Sequence, residues 1–292
     1  MVVSDISLFN YLTSALDNTS SQLQLTEQQT ATGLRVNQPS DDPAAYAEAK
    51  LLSQQESATN SDISVASQAQ DQLSTIDNAL SGVTNALDSA IQQATQGADS
   101  TISTTQMAAL GQAVTGLLAQ VIGVGNTRYN GAYVFGGDQV LNTPYSATGV
   151  YSGDSQSNSV TLSDGTSMQL SFNGQSIFGD ATTGAIGTLT ALAAALNAGD
   201  KSAVAAALPQ LQTAIQQVAG ARAAIGSTMN AASAEVSDGN NNLVSLQSAV
   251  SDVSGADIAK TAMLFQEQSV EQQALVSLGS ELSKMPLVNI LA

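Results

Sequence analysis

Leu12, Leu16, Thr19, Leu23, Thr26 and Thr30 recur at alternating spacings of four and three residues. That spacing holds a narrow stripe on one side of a helix. Gly33 ends the pattern by offering a left-handed turn, and Pro39 lacks the N–H that a continuing helix needs. Asp42 then suits an N-cap and Pro43 the first helical position, so a second helix starts there. It runs to about Gly97, with its clearest seam at Leu73, Ile76, Leu80, Val83 and Leu87. After the break Gly97-Ala-Asp-Ser100, a third helix carries Met107, Leu110, Val114, Leu117, Val121 and Val124 on the same pattern. Seams this apolar bury about 1.5–3 kcal/mol per aliphatic side chain, and the two helices are expected to pair antiparallel.

The texture changes at Asn126. From Tyr129 to Ala185 the chain is rich in Gly, Ser, Thr and Asn with alternating apolar positions, which reads as a small β-rich insertion. Its best hairpin sets Val160–Leu162 against Met168–Phe172 across Asp164-Gly165, a pair suited to a tight turn with positive φ. Helical spacing returns at Ile186, Leu189, Leu192 and Leu196 and stops at Asn197-Ala-Gly199. The longest seam follows, alternating four and three from Val204 to Val253, interrupted only by Arg222 and Gly239. A continuous helix there would extend about 75–80 Å at ~1.5 Å per residue, with Pro209 positioned to kink its first turns. Arg222 reads as a packed stem whose head reaches a carboxylate or solvent. Ser254–Asp257 breaks and recaps the chain, and a last helix carries Leu264, Leu275, Leu278, Leu282 and Met285, with Phe265 and Val276 on a neighbouring stripe. It ends in the apolar tail Leu287–Ala292.

The fold class is therefore mainly α: a long antiparallel bundle with a terminal coiled coil from both chain ends and a small inserted β-rich domain. The expected domains are 1–43 with 256–292, 44–128 with 186–255, and the insertion 129–185. Two amphipathic chain ends bury their seams most simply against each other, leaving an apolar face for other subunits. The candidate assembly interface is Leu12, Leu16, Leu23, Leu264, Phe265, Leu275, Leu278, Leu282, Met285, Ile290 and Leu291. The candidate inter-helix loop is Arg35, Asn37, Pro39, Asp41, Asp42 and Pro43, in which Arg35 is expected to pair with Asp41 or Asp42 or to touch a neighbouring subunit.

Composition narrows the chemistry. Asp+Glu number 24 against 7 Lys+Arg, so the chain lacks the cationic footprint that nucleic acid or an anionic membrane requires. With no His and no Cys, nucleophile systems built on imidazole and thiolate or imidazole zinc sites are excluded. No metal or cofactor is expected, and no catalytic residue is assigned. The first 25 residues do not read as a secretory leader, and no stretch reads as the ~18 apolar residues of a membrane span.

Several motifs carry a resemblance. Gly33-Leu-Arg-Val-Asn-Gln-Pro-Ser-Asp-Asp-Pro43 resembles the loop between the two N-terminal helices of the flagellin superfamily. Ala221–Gly226 resembles the start of its C-terminal bundle helix, and Val253–Ile258 its hinge into the terminal helix. Asn130–Gly137, Thr143-Pro-Tyr145, Tyr151–Asp154 and Gln272–Leu275 are similar to the superfamily's hook–filament junction family. The end departs from that pattern, with Pro286 and no aromatic residue. The resemblance implies a structural subunit outside the cell, exported through the flagellar type III route without a cleaved leader. Its implied partners are like subunits in a ring, hook-associated protein 1, flagellin and an export chaperone. Flagellin itself is the nearest alternative, and an adhesin on a coiled-coil stalk leaves the two apolar ends unexplained. Gly136-Gly-Asp138 and Gly153-Asp-Ser155 look superficially like enzyme loops, but the second has no His to serve as base.

Overall fold

In the computed structural model, residues 2–284 are described, with side chains for 7–281. The elements are α1 (Val2–Thr32), α2 (Pro43–Gly97), α3 (Thr104–Gly125), β1 (Arg128–Tyr129), β2 (Ala132–Tyr133), β3 (Ser159–Thr161), β4 (Ser167–Gln169), α4 (Gly174–Phe178), α5 (Gly184–Ala198), α6 (Lys201–Ser254) and α7 (Ile258–Lys284). The fold is a mainly α-helical bundle with small β-hairpin insertions. Two compact units divide it: one joins the N-terminal segment through Ala58 to the chain from Asn241 onward, and the other is Thr59–Asn240.

The second unit holds the core. All five seam residues of α2 from Leu73 to Leu87 are buried, with Met107, Val114 and Val121 of α3, Ile186, Leu189, Leu192 and Leu196 of α5, and Val204, Leu211, Val218 and Ile225 of α6. Here α3 packs against α5. A Cβ placed on Gly199 would lie 3.4 Å from Thr104, and one on Gly111 would meet Asn197, so the pair runs antiparallel. Ser103 starts α3 with a reciprocal capping box to Gln106, satisfying two otherwise unpaired N–H groups. Arg222 reaches Asp77 through a two-point ion pair, Nε to Oδ1 at 2.8 Å and Nη2 to Oδ2 at 3.1 Å. A guanidinium thus stands in the α6 seam without an orphaned charge. Pro209 lies inside α6, which continues past it.

The insertion is less β-rich than its composition suggests. Its four strands are two or three residues long. Asn130 and Gly131 join β1 to β2 with φ of 48° and 84°, the positive values that a two-residue turn matched to strand twist demands. In the second hairpin Val160 faces Met168, and β3 and β4 lie one residue earlier than the apolar pattern places their starts. Leu162 and Met168 are buried with Ala66, Ala69 and Ala232, and Ser163 donates to the Asp62 carboxylate from both its N–H and its hydroxyl. Elsewhere the insertion is loop, fixed by an aromatic cluster. Phe135 meets Phe178 edge-on at 4.8 Å, and the Tyr145 hydroxyl donates to the Gly179 carbonyl at 2.9 Å. Asn126 clasps Tyr145 at both its N–H and its carbonyl, each at 2.9 Å.

One expectation needs correction. By length and composition α3 is apolar enough to cross a membrane, although the sequence reading finds no such stretch. Its packing against α5 and its buried Met107, Val114 and Val121 fit a core helix.

Candidate assembly surface and inter-helix joint

The first unit is built around a joint. Gly33 takes a φ of 71° and its N–H closes α1 onto the Gln29 carbonyl at 2.9 Å. The chain then meets the segment after α6. Leu34 and Gly255 form an antiparallel bridge, Arg35 N–H donates to Ser254 at 2.7 Å, and Ala256 N–H donates to Gly33 at 2.9 Å. Val36 and Ser254 are buried at this crossing. Both connectors between helices are thus tied into one structure.

Side chains then shape the loop. Arg35 pairs with Asp42, Nη1 to Oδ2 at 3.3 Å, and its Nη2 donates to the Val253 carbonyl at 2.9 Å. Asp41 serves a different purpose, accepting the N–H groups of Asn37 and Gln38 at 2.9 and 3.0 Å. Asn37 itself donates to the Leu34 carbonyl. The other oxygen of Asp42 caps α2 at Ala45 N–H, and Pro43 is the first residue of that helix. These N–H groups, with Arg35 beside Asp42, hold both carboxyls below the ordinary aspartate range. Pro39 is exposed.

Beyond the joint, α1 pairs with α7. A Cβ on Gly279 would lie 3.2 Å from Leu12 and one on Gly33 3.9 Å from Ile258, so the helices are antiparallel. The seam is polar. Thr19, Thr26 and Thr261 are its buried residues, while Leu12, Leu16, Leu23 and Leu275 are half-buried. Thr26 and Thr261 return their hydroxyls to the carbonyls of Gln22 and Asp257 within their own helices, so a methyl is the apolar group each adds to the seam. A buried methyl contributes about 0.8 kcal/mol against ~1.5–3 for a full leucine, so this pair is weakly held. The Gln268 Oε1 atom is buried on α7 with no partner among the described residues, which costs further.

Other large apolar side chains of these helices are left exposed. Leu264, Phe265 and Leu278 are exposed, the last at 56%. So are Phe9, Tyr11 at 73%, Met263 at 71%, Val270 and Val276. Phe9, Tyr11, Met263 and Val270 fall outside the candidate interface read from heptad spacing; their signal is a second apolar stripe, visible only once the seam is known. Leu282 lies in α7, with its side chain outside the described set. Met285, Ile290 and Leu291 lie outside the described residues.

The enzyme-like loops are structural. One oxygen of Asp154 accepts the N–H groups of Asp138 and Gln156 at 2.8 and 3.1 Å, tying the two loops together. Among the described residues no group of three His, Cys, Asp or Glu is placed to hold a metal ion.

Residues 3–140 match the bacterial flagellin N-terminal helical region. Over that stretch the chain is similar to the N-terminal helices of bacterial flagellins. The chain is 30% identical over 189 residues to flagellar hook-associated protein 3 of Salmonella typhimurium, covering 64% of this chain and 59% of the relative. It is 33% identical over 162 residues to flagellar hook-associated protein 3 of Escherichia coli, covering 54% of this chain and 51% of that one. The chain thus spans between half and two thirds of the curated relatives it matches. In fold it is similar to FlgL of Bacillus cereus, with a TM-score of 0.61 and 24% identity over 70% of this chain and 99% of that one.

Proposed function

We propose that the protein is a structural subunit of the bacterial flagellum that joins hook to filament and assembles through its two terminal helices. One observation carries this reading. Among the described residues, every large exposed apolar side chain except Leu141 and Val150 lies in the unit built from the chain ends. A helix pair with buried threonines and half-buried leucines inside, and large apolar side chains left outside, is stabilised when neighbours cover it. The similarity to flagellar hook-associated protein 3 supports the same location.

On this reading segments 1–43 and 256–292 form the assembly domain, 44–128 with 186–255 the bundle, and 129–185 the outer domain. Like subunits form a ring, hook-associated protein 1 lies below and flagellin above. An export chaperone covers the apolar ends before the chain leaves through the flagellar type III route. The protein then works outside the cell, without a cofactor, nucleic acid or membrane.

Deleting the gene tests the proposal. Hooks without filaments, with flagellin shed into the medium, are the expected result. Normal filaments on the deletion strain would contradict it, and purified protein that polymerises alone into long filaments would identify a filament subunit instead.

A further inference from the structure

Beside the joint, Gln29, Arg35, Gly255, Asp257, Lys260 and Leu264 line an open recess of about 350 Å³. Among the described residues, several cations of this acidic chain are engaged internally, while the ammonium groups of Lys50 and Lys260 are not. Arg222 meets Asp77, Lys201 donates to the Ser100 carbonyl at 2.7 Å, and Arg128 donates to the Tyr133 hydroxyl at 2.6 Å. Arg35 holds Asp42 and the Val253 carbonyl, yet its side chain stays 49% exposed. Lys260 differs. Its backbone N–H is taken by the Asp257 carboxylate at 3.1 Å, while its ammonium has no partner among the described residues. An unspent ammonium thus stands at a recess with a half-open guanidinium on one wall and the exposed Leu264 on another.

We infer that this recess receives a carboxylate side chain from a second copy of the chain, held by Lys260 and the open edge of Arg35, with Leu264 against its methylenes. Charge assigns the occupant. Each copy carries 24 Asp+Glu against 7 Lys+Arg, so identical copies brought together repel unless each offers its neighbour a cation. The recess also adjoins exposed apolar residues of the same unit, among them Ile258 and Met263, which assembly has to cover. The inference rests on the assembly reading proposed above and adds its electrostatic contact.

Carbodiimide treatment of flagella containing the full chain tests it, because the reagent joins an amine to a touching carboxylate with loss of water. The expected product is a peptide pair linking Lys260 of one copy to an Asp or Glu of another, absent from free monomer. Lys260→Arg should assemble normally and lose the crosslink, since arginine keeps the charge but does not react. Lys260→Glu should lower incorporation by at least about tenfold, as like charge replaces an interface cation. Assembled flagella in which Lys260 is unlinked, or linked to a different protein, would overturn the inference, as would normal incorporation of Lys260→Glu. Each of those results leaves the assembly reading standing. Failure of the wild-type chain to enter flagella at all would instead remove the reading beneath it.

Discussion

Leu34 and Gly255 pair across a single antiparallel bridge, and that one contact makes the two breaks in the helical pattern a common joint. Its geometry depends on Gly33, whose φ of 71° costs a residue with a Cβ about 1–2 kcal/mol. Gly33→Ala has room for the added methyl, 3.9 Å from Ile258, so backbone strain is the whole effect. The variant should lose about that much local stability, read as faster amide exchange at Arg35 and Ala256. Gly82→Ala, in mid-helix with open space around it, should instead stabilise by about 0.5–1 kcal/mol.

Much of this architecture is legible in spacing. Four-three periodicity places α1, α2, α3, α6 and α7, and Gly, Pro and Asp mark their ends, because helix termini are decided by local chemistry. The joint is legible only in outline: pairing the two chain ends sets the Gly33–Pro43 loop and the Ser254–Asp257 break at the same level, but nothing near Leu34 points to its bridge with Gly255. Nor is the direction of the terminal helices legible. Leu12 and Thr19 share a stripe, but heptad spacing does not say that the threonines turn inward while Phe9, Met263 and Val270 turn out. The insertion misleads in the opposite way: its β-branched and aromatic residues serve a loop-borne cluster around Tyr145 more than a sheet.

The thin seam between α1 and α7 has a dynamic consequence. In dilute monomer, amides of Ser7–Thr32 and Ile258–Glu281 should exchange far faster than those of Leu73–Ala94, whose helix lines the core. Hydrogen exchange with mass detection reads this directly. Equal protection in both regions would contradict the weak pairing.

Tyr145→Phe removes a buried hydroxyl and leaves the Gly179 carbonyl without its donor. The cost should be about 1–3 kcal/mol, measured by denaturant unfolding of the Thr59–Asn240 unit within the full chain. A neutral substitution would show that water reaches that carbonyl.

Two carboxyls give opposite pH signatures. Asp180 is held down to about 2 by hydrogen bonds from the Thr182 N–H and hydroxyl, joined by those of Thr183. Its contribution is present above the ordinary value of 3.8 and lost as pH falls towards 2. Asp180→Asn should therefore be less stable than wild type at pH 6, with the gap closing between about pH 4 and 2. Glu235 is pushed up by desolvation and by Asp164, Asp62 and Asp238 nearby. Its charged form is disfavoured in the fold, so stability is lost as pH rises through its raised value. Glu235→Gln should stabilise at neutral pH and be neutral well below 4.5. Unfolding curves across pH check both signs.

The central claim is that the outward apolar residues of the terminal helices serve assembly and not the monomer's own packing. Substituting Met263, Val270 and Val276 together by Asp, and measuring both thermal unfolding of the monomer and incorporation into flagella, tests it most directly. The account predicts an unchanged melting transition with incorporation and motility lost. Normal incorporation of a stable triple variant would contradict it.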